Sequence, residues 1–474
     1  MKNLLNKLLS KPGIEGKKGT NNRREFVQKA AMGGLGLGLL FKNADITNEI
    51  EYLTQRVNRN SAPSDLKITD LRIAYWSNTP LIKIYTNQDI YGLGEVRDGG
   101  SPTYALFLKS RILGRNPCNV EQIFKNIKQF GGHARAGGGV SGIEIALWDL
   151  AGKAYGVPVY QMLGGKYRDM IRCYADTPSS DKPEITADRI KRRMEKGFTM
   201  VKIDFGLELL KDVPNAIVGG NFWDLKKGWT DDWMSYGQTK HPFTGIQITE
   251  IGLQKMLEYV ARVREITGYE IPIAADHFGH FDKNTAIRLG KAVDHYRLAW
   301  LEDLIPWFYT DQWREISLAI ETPTLTGEDI YLKEEFIKLC DAQAVDMIHP
   351  DLVSSGGILE TKKIGDYAEE KGVAMALHWA GSPISLMANV HCAAATQNFM
   401  ALEHHHVDDD TFEDLATGVA KPILDNGFIK VPETPGLGLD LNEKAVKEQL
   451  RKGEEYFAPT PEWDNERSWD RIWS

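Results

Sequence analysis

From Ile68 the chain alternates apolar and polar residues, as in ITDLRIAYW and PLIKIYT, and the alternation breaks at SNTP and TNQD before resuming in YGLGEV. Alternation puts successive side chains on opposite faces of a strand, and the breaks are rich in turn-forming residues, so the stretch predicts a small antiparallel sheet. The run SGIEIALWDLAGKAYG has helical spacing instead, stopped by Gly156 and Pro158. Together they predict an α+β module over residues 66–168.

Beyond Ile171 one theme repeats. Short β-type runs end in a polar residue and lead into amphipathic helical stretches such as ADRIKRRMEKG, KNTAIRLGKAV and ETKKIGDYAEEKG. The strand ends are CYAD, VKID, IAAD, WLED, LTGED, MIHPD, ALHW and ALEH, which makes eight. Eight such units over residues 169–410 predict a (β/α)8 barrel, whose functional groups stand at the C-terminal ends of the strands. Asp276, Glu302 and Glu328 follow one another at intervals of 26 residues, and Asp351 precedes His378 by 27, each interval fitting one strand, helix and return. Residues 206–247 interrupt this rhythm with a Gly-, Trp- and Asp-rich insertion, the kind of long loop that serves as a lid or specificity element.

The first residues read differently. Arg23 and Arg24 precede a glycine-rich apolar stretch, Ala30 to Phe41, too short to span a bilayer as a stable helix. Residues 1–42 resemble a twin-arginine export signal, with a basic amphipathic start as the alternative, and 43–65 read as a polar linker. Export would place the protein in the periplasm; a wrong reading would leave it in the cytoplasm. No A-x-A site follows, so cleavage and anchoring both stay open. No later apolar run is long enough for a transmembrane span. A hydrophobic share of 42% with 26% charged residues fits a globular chain with a sizeable core, and the net charge of −8 argues against nucleic acid as a partner. Cys118, Cys173, Cys340 and Cys392 are far apart and read as ordinary buried thiols.

Asp276, Glu302 and Glu328 end three consecutive predicted strands, so a barrel would bring three carboxylates together. Their repulsion would raise at least one pKa unless a cation compensated it, and all-oxygen ligands with open positions suit Mg²⁺. The alternative is a separate salt bridge for each. Asp303, beside Glu302, is expected to face the other way. Asp351 and His378 on neighbouring strands suit a base whose imidazole is oriented by a carboxylate. Glu403, on the last strand, could donate a hydrogen bond to a developing oxyanion if burial kept it protonated. Of His404, His405 and His406, a loop with at most one functional histidine is expected.

These residues, with GLGEV, IEIALWDLAGKAYGVPVYQMLGG, WLEDLI, TGEDI, HPDLVSSGGI, ALHWAGSP and PGLGLDL in order, resemble the enolase superfamily and, within it, the mandelate racemase subgroup, over residues 68–445. The resemblance implies an N-terminal capping domain over a modified barrel, with residues 411–474 returning to that domain. It also implies one Mg²⁺ held by Asp276, Glu302 and Glu328, a His378–Asp351 base, Glu403 as electrophilic helper, and abstraction of a proton alpha to a carboxylate. Racemase-like members carry Lys-x-Lys on the second strand; here VKID supplies Lys202, suited to neutralising a substrate carboxylate, and Asp204, which cannot act as a second ammonium.

With one clear base, elimination of a β-hydroxyl from an acid sugar, giving a 2-keto-3-deoxy acid, is the expected reaction. An epimerase, a cycloisomerase or a non-catalytic sugar-acid binding protein are the alternatives. The second acid is sought among His277, His280, Tyr236 and His241, because Phe278 stands where some acid-sugar dehydratases have a histidine. Arg97, His133, Trp379, Tyr236 and His280 are candidate substrate contacts, as are Trp223, Trp229 and Trp233 of the insertion. A homo-oligomer is expected.

Overall fold

A computed structural model describes residues 62–217, 247–279 and 281–465. The twin-arginine stretch, the centre of the insertion with Trp223, Trp229, Trp233, Tyr236 and His241, and also His280, lie outside the described residues.

The N-terminal domain begins with strands β1 (Ile68–Trp76), β2 (Thr79–Thr86) and β3 (Tyr91–Glu95), an antiparallel sheet in sequence order. The helix Gly138–Tyr155 lies directly on β3. Gly92 and Gly94 permit this approach, since a Cβ at either position would stand 2.0 Å from a carbonyl oxygen of that helix. Gly156 ends the helix in the left-handed conformation with φ 71°, as its place before Val-Pro implies.

Strands β4 (Met170–Thr177), β5 (Val201–Asp204), β6 (Ile273–Asp276), β7 (Leu301–Glu302), β8 (Thr324–Thr326), β9 (Met347–Ile348), β10 (Ala374–Leu377) and β11 (Phe399–His404) pair in parallel, and β11 pairs with β4 to close an eight-stranded barrel. Its interior is a cluster with one main residue per strand or strand start: Tyr174, Met200, Ala274, Trp300, Leu325, Met347, Ala376 and Ala401. The intervening residues, among them Cys173, Val201, Ala275, Leu301, Ile348, Met375 and Leu402, join the larger core under the helices. Side chains alternate along each strand, so the next inward layer lies two residues on.

The C-terminal segment turns back. Phe428–Lys430 pairs antiparallel with the start of β4, and beyond it Arg451 donates its backbone N–H to Tyr75 while Trp76 donates through its indole to Gln449. No helix among the described residues is long and apolar enough to cross a membrane. All four cysteines are free, Cys118 half-buried and the other three buried.

Candidate active site

Two residues beyond the hydrophobic layer stand Asp176, Lys202, Asp276, Glu302, His349, His378 and Glu403, one polar group for nearly every strand. Above them opens a cavity of about 480 Å³, walled by Asp176, Lys202, Asp204, Asp276, Glu328, His378, His405 and, from the N-terminal domain, Arg97. Glu302, Glu403 and His349 are fully buried behind that wall.

Lys202 is the hub of the layer. Its Nζ lies 2.7 Å from Glu403, 3.2 Å from Glu302 and 3.4 Å from Asp276. Glu302 belongs to two groups whose ligand atoms approach within 4.8 Å of one another, one with Asp276 and Asp303, the other with Glu328 and His349. Burial, reinforced by Glu302, pushes the Asp276 carboxyl well above its ordinary range. Burial opposes ionisation of Glu302 too, yet His349 and Lys202 hold it low. The expected orientation of Asp303 needs correction. Its φ of 45° breaks the strand alternation, and its carboxylate turns toward Asp276 and Glu302 while accepting a hydrogen bond from Thr326. Burial and its acidic neighbours Glu328 and Glu302 raise its pKa strongly. A crowded set of oxygen donors with surplus negative charge fits a hard divalent cation.

The strand ends β9 and β10 bring Asp351 beside His378 through a parallel bridge. His378 Nδ1 lies 2.6 Å from Asp351 Oδ2, while Asp351 Oδ1 accepts the backbone N–H groups of Val353 and Ser354. The carboxylate is thus fixed at both oxygens, and a proton on Nδ1 leaves Nε2 as the basic atom. Nε2 faces Glu328 at 3.4 Å. Burial lowers the pKa of His378, but Glu328 and Asp351 outweigh it and push it up to about 9. Glu328 in turn is paired at 2.9 Å with Arg97, which also binds Asp329 at 2.7 Å.

Glu403 corrects the expectation of a protonated carboxyl. Burial favours the acid, but the ammonium of Lys202 and the imidazoles of His378 and His405 hold its pKa well below the ordinary value. It is an ion-paired carboxylate that accepts the Tyr174 hydroxyl at 2.9 Å. Asp204 lines the cavity, and burial together with Asp176 pushes it up to about 7.

Other candidates fall elsewhere. His277 sits on the outward parity, fully buried, its ring between Phe205 and Phe281 and its Nδ1 2.7 Å from the Phe205 carbonyl, so it is a packing residue rather than a cavity acid. Trp379 is likewise corrected: it is buried against His404 and Phe412 and donates to Ser385 at 2.6 Å, away from the cavity wall. His133 accepts the Tyr331 N–H and packs on Trp307 at 4.5 Å, outside the wall. Of the histidine run, His404 is buried, His406 stacks on Phe412, and His405 lines the cavity.

A model described as the mandelate racemase / muconate lactonizing enzyme N-terminal domain matches residues 49–164, and one described as enolase C-terminal domain-like matches 186–445. The chain is 32% identical to a D-xylonate dehydratase of Haloferax volcanii, over 84% of this chain and 93% of the relative. It is 28% identical to a D-gluconate/D-galactonate dehydratase of Picrophilus torridus, over 82% and 93%. A solved mandelate racemase/muconate lactonizing enzyme-like protein from Rubrobacter xylanophilus superposes with a TM-score of 0.71 at 30% identity, covering 83% of this chain and 99% of that one.

Proposed function

We propose that this chain, which belongs to the mandelate racemase / muconate lactonizing enzyme family of the enolase superfamily, dehydrates an acid sugar to a 2-keto-3-deoxy acid. The observation that carries this reading is the His378–Asp351 pair opening onto a cavity in which Asp204, not a second lysine, ends β5. One base suits removal of a single α-proton and departure of a leaving group. It does not suit reversible protonation from both faces. The relatives named as D-xylonate and D-gluconate/D-galactonate dehydratases support the same class.

In this reading Asp276, Glu302 and Glu328 would hold Mg²⁺, which supplies positive charge where negative charge develops on the substrate carboxylate. Lys202 adds fixed positive charge beside these residues. His378 Nε2 takes the proton from the carbon next to the carboxylate, Asp351 steadies the imidazolium, and the bonding pair passes onto the substrate carboxylate, then forms the C=C bond as the β-hydroxyl, protonated by an acid of the site, leaves as water. The enol left behind tautomerises to the ketone.

The test is mass spectrometry of an acid-sugar panel incubated with the protein and Mg²⁺ in D₂O. Loss of one water from a subset of the panel is the expected result. Deuterium uptake without water loss identifies an epimerase or cycloisomerase instead, and inertness toward the whole panel counts against catalysis on acid sugars.

A further inference from the structure

Departure of a β-hydroxyl requires a proton donor, and the second histidine of the cavity is placed to be one. His405 follows the last residue of β11, whose register sets His404 opposite Ala175 on β4, so His405 comes beside Asp176. Its Nδ1 lies 3.4 Å from Asp176 Oδ2 and its Nε2 3.2 Å from Glu403 Oε1. The strand pair β11 and β4 thus sets a second aspartate beside a histidine of the cavity, at 3.4 Å where Asp351 and His378 stand at 2.6 Å. The two imidazoles stand 5.7 Å apart between centroids, at 67° to one another, and both line the same cavity. Glu403 lies between them, 4.0 Å from His378 Nε2. The flanking histidines are consumed by packing on Trp379 and Phe412, whereas His405 is directed to the cavity.

We propose that His405 is the catalytic acid of the elimination, with Asp176 as its positioning residue, an assignment that rests on the dehydratase reading above. His378 removes the α-proton and the C–H pair passes onto the substrate carboxylate; that pair then returns to form the C=C bond of the enol as the C–O bond to the β-hydroxyl breaks with its electron pair on oxygen. His405 Nδ1–H, on the accessible edge of the ring, transfers its proton to that oxygen, so water leaves and His405 is left neutral, to be reprotonated from solvent. Asp176 stabilises the charged ring before transfer, and Glu403 holds the buried Nε2, which leaves the Nδ1 edge toward the cavity.

The test separates proton removal from leaving-group departure. Wild type, His405→Gln, Asp176→Asn and Asp204→Asn, each with Mg²⁺, are given an acid sugar that wild type dehydrates and its 3-fluoro analogue, whose fluoride leaves without a proton. Deuterium incorporation at C2 is followed alongside product. For H405Q the expectation is a loss of water elimination of about 10²–10⁴-fold, the usual contribution of a general acid, with α-exchange retained and fluoride release close to wild type. D176N shows the same split with a smaller loss, which keeps the assignment testable if H405Q does not fold. Parallel loss of exchange and of fluoride release in H405Q, unchanged dehydration, or the selective split appearing in D204N instead, overturns the acid assignment alone. Wild type that dehydrates no member of the acid-sugar panel overturns the dehydratase reading, and the acid assignment falls with it.

Discussion

His378 Nε2 lies 3.4 Å from Glu328, one of the three carboxylates placed to hold the cation, so the charge state of the base depends on what Glu328 binds. The attraction of Glu328 is the largest influence raising the imidazole to about 9 against its burial. A cation on Glu328 weakens that attraction, disfavours the imidazolium and moves the titration down, making the neutral base available at lower pH. NMR titration of ¹⁵N-histidine-labelled protein, with His378→Asn identifying the resonance, is expected to show a midpoint that falls on adding Mg²⁺. Glu328→Gln without metal should move it the same way; an unchanged or rising midpoint in both would remove Glu328 from the cation site. The same reasoning ranks the carboxylates. Asp276→Asn and Glu302→Gln should each weaken Mg²⁺ binding by about tenfold or more in calorimetry, corresponding to roughly 1.4 kcal/mol. Asp303→Asn should weaken it less, since the Asp303 carboxylate is already engaged by Thr326.

Elements of the two domains are tied by carboxylates that serve as caps for helices of the other domain. Glu144, inside the helix Gly138–Tyr155, accepts the backbone N–H groups of Ile358 and Leu359 in the first turn of the barrel helix Ile358–Glu370, and Glu95 at the end of β3 accepts those of Ser382 and Ser385 around the start of Pro383–Ala395. Glu144→Ala or Glu95→Ala leaves buried amides without acceptors, at a cost of about 1–3 kcal/mol each. The urea midpoint should fall accordingly, while Glu270→Ala, on an exposed carboxylate, leaves it unmoved. A buried glutamate in an otherwise apolar helix was visible in SGIEIALWDL, but its partner lies more than two hundred residues away, and nothing local announces it. The eight strands and their polar ends were legible because alternation and helical spacing are local. Inward parity was also readable: counting two residues beyond Met347 and Tyr174 picks out His349 and Asp176, which lie within the strand ends MIHPD and CYAD but were given no role there, and it turns His277 and Trp379 outward. Two positions escape any such count. Asp303 at φ 45° and Gly327 at φ 144° depart from strand geometry, so which way Asp303 and Glu328 point is decided by tertiary packing.

At the scale of the whole molecule, the site cannot form until the chain is nearly finished. Arg97 reaches Glu328 from the N-terminal domain, and β1 is bonded to Gln449 and Arg451, with Lys109 paired to Asp464. A threaded, unfolded export route would therefore deliver the two domains before either end could lock, whereas the twin-arginine route carries proteins already folded. We propose that Arg23 and Arg24 direct the full chain to that route. Expressed in a Gram-negative host, the wild-type chain should partition with the periplasmic fraction, and the Arg23→Lys, Arg24→Lys double variant should remain in the cytoplasm. Both forms should elute as folded protein and dehydrate the same sugar acids at the same rate per molecule, because the pair contributes nothing to the barrel. Equal partition of the two forms would count against the export reading; a double variant that is retained and also inactive would show that its retention reflects misfolding rather than a lost signal.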